Sequence, residues 1–262
     1  MLARGRVYVW PGGSLWVGRG KGRTQWHGHH AHQITLPFDG VCRFRLERQG
    51  SWTEFASAFI RSDRPHQFDT DDLEIAQLFV EPETVEGRAL TQRFGARDVS
   101  ALPVADRDAM VAMLSTAWRA AAADATMLAT ARAAVALLAG APAVKPDFDA
   151  RVARAVDCIR ARIRGPVRLE DAAAAAALSP SRFRHLFVSQ TGTAFRPYVL
   201  WLRLNVAIEC SMKGGSWTDA AHEAGFADSA HLTRTFKRMF GMTPATLVAA
   251  AHGGSVAAPA QR

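Results

Sequence analysis

The chain has 262 residues, enough for about two domains with a substantial core, and its 48% hydrophobic and 21% charged residues are those of an ordinary globular protein. No run reaches the ~18 uncharged apolar residues of a membrane span. The opening MLARGRVYVWPGG holds no apolar signal core, so a cytoplasmic protein with no membrane partner is expected. Cys42, Cys158 and Cys210 are far apart and odd in number, which argues against a disulfide framework and reads as small buried apolar residues in a reducing compartment. The net charge of +8 is concentrated: residues 151–250 carry 14 Lys and Arg against 7 Asp and Glu, whereas residues 1–150 carry 17 of each. Such a block is the footprint expected for a polyanion, either nucleic acid or an acidic membrane.

The first eighty residues read as β structure. RVYVW, SLWVG, QITLPF, VCRFRL, SWTEFASAFI and LEIAQLFV are β-branched or aromatic runs separated by Gly, Asp, Pro or Ser, the pattern of a sandwich or small barrel. After Gly87 the texture changes. Asp106–Ala122 and Asp124–Ala139 are rich in Ala, Leu and Met and predict a helical pair that either packs on the barrel or forms a subunit interface. GAPAVKP, residues 140–146, reads as a linker.

Beyond it the pattern is helical throughout. Asp147 or Asp149 can cap a helix reaching about Arg164, stopped by Gly165-Pro166. LEDAAAAA follows, with a break at Ala177-Leu178. Ser179-Pro180 is an N-cap with proline at the first helical position, opening SRFRHLFVSQ. In that helix Phe183, Leu186 and Phe187 share a face to be buried, opposite Ser181, Arg184, His185 and Val188. A connecting helix spans about Ala194 to Met212. Ser216 then begins a helix with a capping-box spacing to Asp219, ending near Gly225. In ADSAHLTRTFKRMFG, Leu232, Phe236 and Phe240 mark one face and His231, Arg234 and Arg238 the other. Phe187 and Gly192 recur as Phe236 and Gly241 at one offset of 49 residues, so the chain holds two helix–turn–helix units.

The second helix of such a unit enters the major groove of DNA. Both candidates commit an apolar face to the core and leave a basic, hydroxyl-bearing face free. A solvated surface would explain one such helix, but two repeats inside a block of net charge +7 favour DNA. Arg184 and Arg234 can each donate two hydrogen bonds to guanine, Ser181, Ser229 and His231 can reach other base edges, and Thr233, Lys237 and Arg238 suit phosphate.

AHEAGFADSAHLTRTFKRMFGMTP, residues 221–244, resembles the signature of the AraC/XylS family of transcription regulators, and LSPSRFRHLFVSQTG, residues 178–192, matches it more loosely. The resemblance covers about a hundred residues. It implies that Ser181, Arg182, Arg184 and His185 read DNA in the first unit, and Ser229, His231 and Arg234 in the second. Two positions depart from the pattern: Ala177 stands where a turn glycine is usual, and Ala230 where a polar reader is common. An alanine at a left-handed turn costs up to ~1 kcal/mol or slightly more, so an adjusted first turn is expected.

The N-terminal region resembles the cupin-like sensor domain carried by many members of that family. His27-x-His29, Gln33 and Gly40 keep the spacing of a cupin metal motif, with glutamine in place of its carboxylate, and His66 in RPHQF is the candidate further histidine. His27 and His29 should share one strand face and His30 and His32 the other. His27, His29, Gln33 and His66 are therefore assigned to effector binding, as the polar lip of a pocket. No metal or cofactor is assigned, although three imidazoles can hold Zn or Fe and a purely structural role also stays open. Trp16, Trp26 and Phe38, and Trp52, Phe55 and Phe59, either line that pocket or fill the core.

The whole resemblance implies an α+β multidomain chain. A cupin-like β-barrel with a helical pair at 106–139 occupies residues 1–139; the linker at 140–146 leads to an all-α domain of two helix–turn–helix units over 147–250, followed by a flexible tail at 251–262. The expected function is ligand-responsive transcription regulation on promoter DNA, as a homodimer, with RNA polymerase as partner if it activates. The competing expectation is a cupin-type metalloenzyme fused to a DNA-binding domain. No Ser/His/Asp arrangement, phosphate loop or GxGxxG is visible, and the clustered cysteines needed for sacrificial DNA repair are missing.

Overall fold

A computed structural model of the chain describes residues 2–140 and 148–249; of the expected linker all but Gly140 lies outside them, as does the expected tail at 251–262. The N-terminal sheet is built from β1 (Leu2–Trp10), β2 (Gly13–Arg23), β3 (His32–Pro37), β4 (Cys42–Arg45), β5 (Thr53–Phe55), β6 (Ala58–Ile60) and β7 (Gln67–Val80). β7 is its axis. Along its length it pairs antiparallel with β2 on one edge, and with β4 and then β3 on the other. The expected strands are present, with SWTEFASAFI divided into β5 and β6. α1 (Val85–Phe94) and β8 (Val99–Ala101) follow, the helix capped by Thr84, whose hydroxyl accepts from Gly87 N at 2.9 Å. Neither element has a marked apolar period, and neither was expected.

The helical pair forms as α2 (Val104–Arg119) and α3 (Asp124–Ala139). Met110, Leu114, Met127, Ala131, Val135 and Leu138 are buried against Tyr8, Leu15, Ile34 and Leu78 of the sheet, so the inner face of the pair packs on the strands. Each such leucine or methionine removed from water contributes about 1.5–3 kcal/mol.

The C-terminal region contains α4 (Ala150–Ala161), α5 (Leu169–Ala175), α6 (Pro180–Thr191), α7 (Phe195–Met212), α8 (Trp217–Glu223) and α9 (Ser229–Phe240). Asp149 caps α4, accepting from Arg151 N at 2.9 Å. After α9 the chain turns at Pro244–Thr246 and enters β9 (Leu247–Ala249), which pairs parallel with β1. The path of the sheet is therefore β8-β6-β3-β7-β2-β1-β9, its last strand supplied by the helical region. A single hydrophobic cluster joins Trp16 and Phe79 of the sheet to Phe183, Phe187, Tyr198, Trp201, Phe236 and Phe240 of the helices. No described helix is long and apolar enough to cross a membrane.

Candidate functional site

α5 and α6 form the first helix–turn–helix. Ala177 takes the left-handed conformation at the turn, φ +55°, so the geometry expected of a glycine is kept and the alanine bears the strain. Ser179 then caps α6 by accepting from Arg182 N at 3.4 Å, Pro180 occupies the first turn, and Gly192 ends the helix at φ +78°. Phe183 and Phe187 are fully buried, with Phe187 edge-on to Tyr198 at 5.1 Å. This commits one face to the core, and Ser181, Arg182, Arg184 and His185 are left exposed on the other.

α8 and α9 repeat the arrangement. Ser216 caps α8, Gly225 makes the turn at φ +74°, Asp228 caps α9 by accepting from His231 N at 2.6 Å, and Gly241 ends it at φ +68°. Leu232, Phe236 and Phe240 are buried. Arg234, Lys237 and Arg238 are exposed; Ser229, His231 and Thr233 are half-buried, with the His231 ring edge-on to Phe226 at 5.3 Å. Among the described residues the side chains of Arg182, Arg184, Arg234, Lys237 and Arg238 form no ion pair. Both helices thus present uncompensated positive charge to solvent, while elsewhere arginines such as Arg19 and Arg61 are paired with aspartates.

The other face of α9 meets the sheet. Phe240 lies 4.7 Å from Trp16 and 5.7 Å from Phe79, ring centre to ring centre. Gln25 N donates to Gly241 O at 2.6 Å and Gly28 N to Arg238 O at 3.4 Å. Between the sheet and this end of α9 lies a cavity of about 600 Å³, counting the solvent at its mouth; Trp16, His27, Gln33, Phe79, Phe240 and Leu247 are among its walls. It is largely apolar, and the enclosed space open to the centre of a water-sized sphere is about 50 Å³. That is well below a typical small-molecule site, so an occupant of that size requires the walls to part. Of the six aromatics proposed from the sequence, only Trp16 lines it. Phe38 and Phe59 are core, Phe55 packs on Phe44, Trp26 lies under Arg48, and Trp52 stacks with Arg23 and Arg45.

Of the four residues assigned to effector binding, His27 and Gln33 line this cavity; His29 and His66 do not, and their rings lie 5.9 and 4.2 Å from that of His27. His27 and His66 face each other across an antiparallel backbone bridge, at 3.0 and 2.8 Å, which brings together histidines 39 positions apart. The rings of His27, His29 and His66 are 4.2 to 5.9 Å apart, centre to centre, and all three residues are buried. Burial lowers the pKa of each, that of His27 to about 3, so the rings are neutral. His30 and His32 point elsewhere, His30 to Glu83 at 2.8 Å and His32 to Thr91 at 2.9 Å. Of the four histidines only His32 lies in a strand, however, so the expected alternation along one strand is not what separates them.

Sequence reasoning missed a second contact between the two halves. Glu81 and Glu83, at the end of β7, are buried yet ionisable. Arg160 of α4 pairs with Glu81, which also accepts from the Trp201 indole at 3.0 Å. Glu83 accepts from the Tyr198 hydroxyl at 2.7 Å and holds His30. Burial opposes charge on His30, but the Glu83 carboxylate and then Asp63 outweigh it and raise its pKa. Burial likewise opposes ionisation of Glu83, and His30 outweighs it. A buried ion cluster of this kind tolerates loss of one partner poorly. Glu-x-Glu after a strand carries no sequence signal; only the fold sets it opposite Arg160 and Tyr198.

Two capped, basic helices in repeated units, joined by α7 and docked on a sheet domain, define a DNA-binding transcription regulator. A family model described as a helix-turn-helix domain, of the AraC type, matches residues 172–250. The whole chain is similar in structure to ToxT from Vibrio cholerae O395, with a TM-score of 0.58 and 13% identity over 90% of this chain and 96% of that one. A structure of unsaturated fatty acid bound ToxT from strain SCE256 matches with a TM-score of 0.53 and 12% identity over 91% and 92%. At these identities the likeness is one of fold: an N-terminal antiparallel sheet with helices, then the helical DNA-binding region. An AraC-type regulator from Chromobacterium violaceum shares 28% identity over 37% of this chain and 87% of that one, at a TM-score of 0.35.

Proposed function

We propose that the chain binds specific promoter sequences through α6 and α9 and responds to a small molecule held between the sheet and α9. The observation that carries this reading is the pair of capped helices whose exposed faces bear arginines that form no ion pair among the described residues. Arg184 and Arg234 read guanines; Ser181, Arg182, His185, Ser229 and His231 contact neighbouring edges; Thr233, Lys237 and Arg238 hold phosphates. In this reading residues 1–139 sense and residues 147–250 bind DNA, in a homodimer whose contact is the outer face of α2 and α3, where Val104 and Leu137 are exposed.

The response follows from where the cavity lies. Its walls include Phe240 and Leu247, so an occupant touches the end of the second reading helix directly. An occupant that prefers one placement of α9 shifts DNA affinity by its differential affinity for the two placements, and no more. The lining suits an apolar effector, the class of the unsaturated fatty acid in the ToxT structure.

The test is binding to a selected operator and to random duplex across a salt series. Arg234→Ala should weaken operator binding about tenfold or more and leave random-sequence binding nearly unchanged. Lys237→Ala should weaken both alike and reduce the salt slope by about 1. Equal losses for Arg234→Ala on both duplexes would make it a phosphate contact; an unchanged slope for Lys237→Ala contradicts its role.

A further inference from the structure

Three features of the His27, His29 and His66 cluster have no explanation in packing. Each ring places Nδ1 2.9 Å from a backbone carbonyl, those of Gln25, Ala31 and Arg64. A neutral ring bonded this way carries its proton on Nδ1 and leaves Nε2 with its lone pair, which on His29 faces the Gln33 amide. His66 Nε2 is buried with no hydrogen-bond partner. One ligand atom from each of the three residues lies within 4.8 Å of the others. The Gln33 amide lies 3.0 Å from His29 Nε2 and is anchored by Thr35 at 2.9 Å. Around the cluster stand Phe44, Phe79, Trp201 and Phe240, which offer it no polar partner.

We infer that His27, His29 and His66 bind one divalent first-row transition ion through their Nε2 atoms, with the Gln33 amide oxygen as a fourth donor. Backbone carbonyls holding the far nitrogen are the arrangement that orients imidazole ligands and makes them more basic. Neutral imidazoles with one oxygen donor suit Zn(II), Co(II), Ni(II) or Fe(II) and not Ca(II) or Mg(II). Coordination at about 2.0–2.1 Å requires the three nitrogens to draw together from their present separations.

That contraction acts on α9. Gln25 and Gly28, flanking His27, are hydrogen-bonded to Gly241 and Arg238 at the end of the helix, and a Cβ on Gly241 would lie 2.7 Å from His27 Nδ1. Metal uptake and DNA binding are therefore linked, and reciprocally so. This link rests on the regulator reading; the metal site does not.

The experiment is titration of CoCl2 into full-length protein purified without a metal-binding tag and stripped with chelator, followed by visible ligand-field absorption. One equivalent should bind with the spectrum of a nitrogen-rich low-coordinate site, and Zn(II) should displace it. His66→Gln and His29→Gln should abolish the signal while circular dichroism stays that of the parent; His222→Gln, at an exposed histidine elsewhere, should leave it intact. Gln33→Glu should tighten binding severalfold by supplying an anionic oxygen, a gain that a merely structural cluster would not show. No stoichiometric uptake by the parent protein, or uptake indifferent to His66 and His29, overturns the site. Operator affinity measured with and without Zn(II) should differ by about fivefold or more; equal affinities overturn the link to α9, and absence of any DNA binding overturns the regulator reading while leaving the cobalt titration valid.

Discussion

Gly192 and Gly241 occupy equivalent positions, ending α6 and α9 in the left-handed region, but their surroundings differ. At Gly192, φ +78°, an added Cβ meets nothing within 4 Å. At Gly241, φ +68°, it would fall 2.4 Å from Gln25 O and 2.9 Å from Thr24 Cβ, both in the sheet domain. An alanine in the left-handed region costs roughly 1–2 kcal/mol, partly offset by the roughly 0.4–1 kcal/mol gained from a stiffer unfolded chain. Gly192→Ala should therefore cost about 1 kcal/mol. Gly241→Ala adds the overpacking term of about 1–3 kcal/mol, for a total of about 2–4. The difference between the two variants isolates the close approach of α9 to the sheet. Urea unfolding followed by tryptophan fluorescence measures both, since Trp16 and Trp201 lie in the joint core. Equal losses for the two variants would refute the docking of α9 on residues 24–27.

Ala177→Gly should raise stability by up to about 1 kcal/mol, because glycine relieves the left-handed alanine and forfeits part of that gain in chain entropy; a thermal melt no higher than the parent's contradicts the strain. Tyr198→Phe removes the hydroxyl that donates to the buried Glu83 carboxylate. It should cost about 1.5–3 kcal/mol and make residues near the α4 start more susceptible to proteolysis, whereas Tyr198→Phe melting with the parent would mean that Glu83 is satisfied without α7.

Much of the C-terminal region is legible in its sequence because each signal there is local. Ser179-Pro180, Asp149 and Ser216 act on backbone groups within three residues, and Phe183, Phe187, Leu232 and Phe236 repeat at helical spacing. The strands are legible for the same reason, from runs of β-branched and aromatic residues. What escaped is what depends on chain pairs far apart. β9 reads as an apolar tail until it is seen beside β1. Glu81 and Glu83 read as the polar end of a strand until Arg160 and Tyr198 arrive from the other half. The histidines were singled out by type and spacing, and His66 was joined to them by the resemblance, but the backbone bridge that brings it to His27 is a property of the fold. Trp16 is the informative aromatic of its group because its strand position faces α9, which its immediate neighbours in sequence do not reveal.

Selection of randomised duplexes by the full-length protein tests the central claim most directly. The account predicts a recovered motif with two separate conserved segments, one relaxed by Arg184→Ala and the other by Arg234→Ala, with the unaltered segment still conserved in each case. A motif with a single segment, or one that neither substitution changes, would contradict it.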